Sequence, residues 1–176
     1  MLMEWRNNLI TGLQWSDDII NSGTGTCANY FTVFHLCSQL VCHLFLTFRN
    51  LIKGRGGALF KEKLLIKSSD RVFIVVDDSK FVSRLGSKFP VPVEVFPTAM
   101  VYVENQLKEL GASKVTLRMA KGKDGPILTE NGNFILDTWF GEIGESLEKE
   151  IKNITGVIES GLFIGYDIEV LVAKQK

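Results

Sequence analysis

Arg71-Val72-Phe73-Ile74-Val75-Val76, followed by Asp77-Asp78-Ser79-Lys80, is the stretch on which the fold turns. A short continuous run of β-branched and aromatic residues, closed by a polar cluster, has the composition of a strand buried on both faces. Such strands belong to parallel sheets covered by helices. Polar residues directly after one lie at the carboxyl edge of the sheet, where open α/β folds bind ligands. The run predicts an α/β protein and makes Lys80 a candidate ligand contact, with a solvated turn lysine as the plainer reading.

Toward the N-terminus, Leu51-Ile52 leads into Lys53-Gly54-Arg55-Gly56-Gly57, and a helix is expected from Ala58 to about Lys67. Successive glycines let backbone N–H groups turn inward around an anion, and the helix N-terminus beyond adds positive potential. Lys53 and Arg55 add mobile positive charge. The spacing matches neither a Walker loop nor the dinucleotide fingerprint. Glu62 falls in the first helical turn, where an acid ordinarily complements the helix dipole. A reacting carboxylate is the alternative.

Toward the C-terminus, Phe89-Pro90-Val91-Pro92-Val93 marks a boundary, because two close prolines preclude a helix. The pattern then predicts a strand at 93–96, a helix at 98–110 ended by Gly111, and a strand at 114–118. Ile127-Leu128 and residues 133–140 follow, separated by the Asn131-Gly132 turn. A helix at 146–153 with a Ser cap and a strand at 157–163 complete a β-α-β-β-α-β order, the split βαβ of a ferredoxin-like unit. The last apolar run, 168–173, returns to the first sheet. The expected organisation is an open Rossmann-like core (1–90 plus 164–176) with an inserted α+β ferredoxin-like lid (91–163).

The head differs. The 176 residues carry 20 Lys+Arg and 20 Asp+Glu, yet only Glu4, Arg6, Asp17 and Asp18 fall in residues 1–48. Net zero charge argues against a nucleic-acid binder working by bulk charge. Residues 30–48 form an uncharged run in which His35, Gln39, His43 and Thr47 recur every four positions, one polar stripe on a helix. That stripe suits a helix buried in protein better than a membrane span, although Arg49, Lys53 and Arg55 would suit a cytoplasmic flank. No basic region leads into an apolar stretch as in a signal peptide. Cys27, Cys37 and Cys42 are too few for a disulfide scaffold, which points to a reducing, cytoplasmic setting. His35, Cys37, Cys42 and His43 lack any standard zinc spacing, so no metal site is expected. Ser22-Gly23-Thr24-Gly25-Thr26-Cys27 is a small-residue loop able to wrap a phosphate, and equally a plain turn.

Several of these stretches together resemble one family. Leu51 to Lys63 is similar to the L-I-K-G-x-G-G-A-L-x-x-E-K signature of type A ribose-5-phosphate isomerases. So are Val76-Asp77-Asp78-Ser79-Lys80, the run Lys88 to Val95, Thr129 to Asp137, and Ile154 to Phe163. The resemblance covers about 50–173. It implies interconversion of ribose 5-phosphate and ribulose 5-phosphate through an enediolate, without metal or organic cofactor, by a homodimer or larger assembly. In that pattern Glu62 moves the proton, and Lys53 with Gly54, Gly56 and Gly57 binds the sugar and stabilises the intermediate. Lys80 adds a positive contact. Gly23, Thr24, Gly25, Thr26 and Cys27 hold the phosphate, with a thiol where the family has a hydroxyl. The family's Asp-Gly-Ala-Asp-Glu segment has no counterpart, since no acid occurs from Ile19 to Asn50. Against the family, residues 1–50 read as divergent and incomplete. The alternative is a relative that binds a sugar phosphate or a partner chain without turnover.

Overall fold

The computed structural model describes residues 50–122 and 124–173, together with backbone at 31–34 and 45–46. In chain order the elements are β1 (Phe31–Phe34), β2 (Phe45–Leu46), β3 (Leu51–Ile52), α1 (Leu59–Ser68), β4 (Arg71–Asp77) and β5 (Val91–Val95). They continue with α2 (Met100–Glu109), β6 (Ala112–Leu117), β7 (Phe134–Phe140), α3 (Leu147–Lys152), β8 (Val157–Ser160), β9 (Leu162–Phe163) and β10 (Ile168–Ala173). The result is a mixed α/β fold with three sheets among the described residues.

The deciding run forms β4 at the centre of a parallel sheet ordered β1-β4-β10. Val72, Ile74 and Val76 are buried there with Phe163, Leu51 and Ile66 of α1. β10 runs parallel to β4, as the sequence expects. A second sheet, β2-β3-β9, is antiparallel. The third is antiparallel in the order β6-β7-β5-β8. Its core is formed by Val91, Val93 and Val95 against Val103 and Leu107 of α2 and Ile151 of α3.

Several boundaries shift for physical reasons. The helix expected through 30–48 fails where the chain is described: Phe31–Phe34 pairs in parallel with Arg71–Ile74, and Phe45–Leu46 pairs with β3. Strand pairing overrides a four-residue polar period. The strand expected at 157–163 is broken at Gly161, and its two halves join different sheets. Ser146 occupies the N-cap position of α3 but makes no side-chain cap bond. Residues 127–128 form only ladder contacts, with Leu128 bridging Phe134. The residues of the zinc reading lie outside those described. Among the described residues no helix is long and apolar enough to cross a membrane.

One polar cluster ties α1 to the third sheet. Lys63, 2% exposed, donates to Glu159 Oε1 (2.9 Å) and to the Ser160 carbonyl (2.8 Å), and pairs with Glu148 Oε1 (2.8 Å). Glu148 in turn accepts from the Tyr166 hydroxyl (2.9 Å) and the Ile164 N–H (2.7 Å). Burial, reinforced by Glu148, pushes the Tyr166 phenol well above its ordinary range. Burial also opposes ionisation of Glu159, but Lys63 and the Ser160 N–H outweigh it and hold the carboxyl below its ordinary value of 4.5. A carboxyl lowered on folding stabilises the protein above that ordinary value, and the contribution is lost as pH falls through the lowered one. Lys63→Ala leaves Glu148 without its buried cation and Glu159 with only the more exposed Lys152, at 3.5 Å. It should destabilise the chain by about 3–5 kcal/mol in urea unfolding at pH 7, and by less as pH falls through the lowered Glu159 value.

Candidate active site

The loop between β3 and α1 is built by its glycines. Gly54 (φ +97°) and Gly57 (φ +85°) adopt backbone conformations that side chains rarely allow, and the Gly57 N–H closes a turn on the Gly54 carbonyl at 3.2 Å. A Cβ on Gly54 would lie 2.8 Å from Leu59 Cβ, so Leu59 packs tightly beneath the loop. Gly56 is different. It is exposed, its φ lies outside the left-handed region, and among the described residues a Cβ there would meet nothing within 4 Å. Neither strain nor crowding accounts for a glycine at this position.

Lys53 and Glu62 stand at the two ends of this loop. Lys53 Nζ lies 3.3 Å from Glu62 Oε1, with the side chains 3% and 17% exposed. Lys53 is thus a buried, paired cation rather than a mobile one. Arg55 is also occupied, stacked over the Phe89 ring at 5.4 Å. Glu62 Oε2 is buried with no hydrogen-bond partner among the described residues. A buried carboxylate oxygen left unsatisfied costs free energy unless something else fills its place. Glu94 Oε2 is in the same state, so what sets Glu62 apart is its pairing with Lys53 beside the glycine loop.

The backbone of Lys53 is fixed from behind. Its N–H donates to the Gly161 carbonyl at 2.8 Å, and the Gly161 N–H donates to the Pro92 carbonyl at 2.7 Å. A Cβ at Gly161 would fall 2.2 Å from the Lys53 carbonyl and 2.8 Å from Pro92 Cδ, so only glycine fits this crossing.

Other supports were passed over by sequence reasoning. Glu94 is fully buried on β5 and accepts on Oε1 from Thr129 Oγ1 (2.8 Å) and Asn133 Nδ2 (2.8 Å). Leu128 and Thr129 contact the Gly57 position, so this acid orders the turn that backs the loop. The signal was available: one acid at a central position of the strand Val91–Val95 must face a polar partner. Arg118 is the other omission. It is forked onto Asp137 and donates to the carbonyls of Gly54 (3.1 Å) and Arg55 (2.8 Å). Its carbonyl partners lie over sixty positions away, so local sequence carries no sign of that grip.

Of the residues anticipated from sequence, the fold brings Lys53, Gly54, Gly56, Gly57 and Glu62 into one loop and its flanks. Lys80 ends the 3₁₀ turn Asp78–Lys80, directly after β4 on the carboxyl side of the parallel sheet. Gly23, Thr24, Gly25, Thr26 and Cys27 lie outside the described residues. Two shallow hollows of about 340 and 380 Å³ sit elsewhere, around Arg84 and Gly141 and around Tyr102 and Asn153.

A mixed α/β chain with a glycine loop bracketed by a buried lysine–carboxylate pair has the makings of an acid–base site for a small anionic ligand. The chain belongs to the ribose 5-phosphate isomerase A (phosphoriboisomerase A) family, whose model matches residues 47–176. It is 48% identical over 128 residues to ribose-5-phosphate isomerase A of Thermosynechococcus vestitus, covering 72% of this chain and 54% of that protein. It is 47% identical over 128 residues to the Archaeoglobus fulgidus protein of the same name, covering 70% and 56%. The chain therefore spans about half the length of these curated relatives. Among solved structures it resembles ribose 5-phosphate isomerase A of Methanocaldococcus jannaschii, with TM-score 0.72 and 37% identity over 83% of this chain and 61% of that one. It also resembles a D-ribose-5-phosphate isomerase in complex with phospho-erythronic acid, with TM-score 0.65 and 42% identity over 70% and 55%.

The Gly161 crossing gives a direct check on this geometry. Gly161→Ala should lower stability by about 1–3 kcal/mol through overpacking and displace Lys53. Thermal unfolding would report the loss, and the chemical shift of the Lys53 amide would report the displacement.

Proposed function

We propose that this chain interconverts ribose 5-phosphate and ribulose 5-phosphate through an enediolate, with Glu62 moving the proton between C2 and C1. The observation that carries the reading is the Lys53–Glu62 pair, at 3.3 Å, whose second carboxylate oxygen is buried and unpartnered. Membership in the isomerase family supports it, because the matched span contains both residues. Proton transfer needs a carboxylate in reach of the carbon-bound hydrogen, and a charge-stabilising environment for the developing oxyanion. Glu62 fills the first role. Lys53 and the glycine loop of Gly54, Gly56 and Gly57 fill the second, with the Gly57 N–H spent on closing the turn rather than on the ligand.

The substrate class follows from the same loop. Exposed, uncrowded Gly56 leaves room for a ligand to approach the backbone, and Lys80 on the sheet edge adds a cation. Phospho-erythronic acid, bound by a related isomerase, combines a phosphate with a planar carboxylate of the shape of an enediolate. We assign the phosphate end to Gly23, Thr24, Gly25, Thr26 and Cys27 on sequence resemblance alone. In architecture we read the parallel sheet as a Rossmann-like core and the β6-β7-β5-β8 sheet as an inserted ferredoxin-like lid at about 91–163, an assignment supported by its strand order.

A second reading is favoured by one observation: no acid occurs from Ile19 to Asn50, where the family has its paired aspartates. Under it the chain binds sugar phosphate without turnover. Assay of the purified chain with ribose 5-phosphate separates the two. The isomerase reading expects turnover that falls about 10²–10⁴-fold in Glu62→Gln. Gly56→Ala should fold with unchanged thermal stability and lose sugar-phosphate binding, since its methyl group enters the ligand's space. Thermal stabilisation by ribose 5-phosphate without turnover would select the second reading. Neither binding nor turnover would overturn both.

A further inference from the structure

The carbonyls of the glycine loop are gripped from the third sheet. Asp137 on β7 holds the Arg118 guanidinium through Nε (2.9 Å) and Nη2, a bidentate fork that fixes its plane. The remaining nitrogen, Nη1, then reaches both the Gly54 and the Arg55 carbonyls, at 3.1 and 2.8 Å. Both partners of the fork are largely buried, 12% and 20% exposed, so water competes little for these bonds.

Two consecutive carbonyls facing one guanidinium have a geometric consequence. No cis peptide occurs among the described residues, and in a trans peptide the N–H points opposite its C=O. The N–H groups of Arg55 and Gly56, which share those two peptide planes, therefore point away from Arg118. The loop that carries them is open at Gly56, which is exposed and where a Cβ would meet nothing within 4 Å among the described residues. Adjacent N–H groups turned to one open side form an anion-binding concavity.

We propose that Arg118, held in plane by Asp137, is a positioning residue that aims the Arg55 and Gly56 N–H groups at the oxyanion of the bound sugar phosphate. The role rests on the isomerase reading above. Arginine is required because one planar group must satisfy a carboxylate and two carbonyls together. A lysine ammonium keeps the charge but has no such fork.

Two measurements on the full chain, comparing wild type with Arg118→Lys and Asp137→Asn, test this. The first is amide hydrogen exchange and needs no ligand. Exchange across residues 53–58 should rise by about tenfold or more in Arg118→Lys, with amides of β5 and β7 unchanged. The second is kinetics with ribose 5-phosphate. Misplaced N–H donors should lower kcat by about 10–100-fold in Arg118→Lys while KM stays within about threefold, and Asp137→Asn should follow in the same direction. Loop exchange unchanged in Arg118→Lys would overturn the proposal, as would faster loop exchange with kcat intact. A loss confined to KM would overturn the oxyanion role. If wild type neither binds nor converts ribose 5-phosphate, the isomerase reading fails, and the exchange result alone decides whether Arg118 orders the loop.

Discussion

Everything at the site hangs on a crossing that admits no side chain. Gly161 passes between the Lys53 carbonyl and the Pro92 ring, accepting from the Lys53 N–H and donating to the Pro92 carbonyl. Through that one residue the antiparallel sheet of β5–β8 is joined by backbone hydrogen bonds to Lys53, directly after β3. The constraint explains why residues 157–163 cannot form one strand. The chain must leave one sheet at Gly161 and enter another at Leu162, within hydrogen-bonding distance of both.

The polar interior divides into two sets with different work. Lys63, Glu148 and Glu159 are mutually satisfied, and their charges fix where α1 lies against the third sheet. Glu62, the preceding residue on the same helix, keeps one carboxylate oxygen buried and without a partner. Neighbouring residues of one helix thus face different surroundings. A saturated ion cluster holds the helix in place, and an unsaturated carboxylate is presented by it. Arg118 and Glu94 complete the arrangement from the opposite side, the first gripping carbonyls of the glycine loop, the second ordering the turn against Gly57.

Much of this was legible in the sequence wherever local chemistry decides structure. Residues 71–76 read as a buried strand because a continuous β-branched run has few other stable uses, and the Lys53–Gly57 loop declared itself by composition. The helix expected at 30–48 failed because β1 is defined by pairing with β4, a partner far along the chain that no local period reveals. Arg118 was invisible for the same reason, its carbonyl partners lying 63 and 64 positions away. Gly161 looked like an ordinary strand residue, since its requirement arises from Lys53 and Pro92 rather than from its own neighbours. The catalytic assignment of Glu62 came from resemblance. Its pairing with Lys53 across the loop arises from the fold and could not be read from spacing alone.

The account stands or falls on whether Glu62 removes a carbon-bound proton. The most direct measurement is deuterium uptake from D₂O into ribose 5-phosphate incubated with the chain, followed by NMR at C1 and C2. Wild type should exchange hydrogen at the reacting carbon, and Glu62→Gln should not, while still binding the sugar phosphate. Exchange at the wild-type rate in Glu62→Gln would contradict the assignment, and so would binding by wild type with no exchange at all.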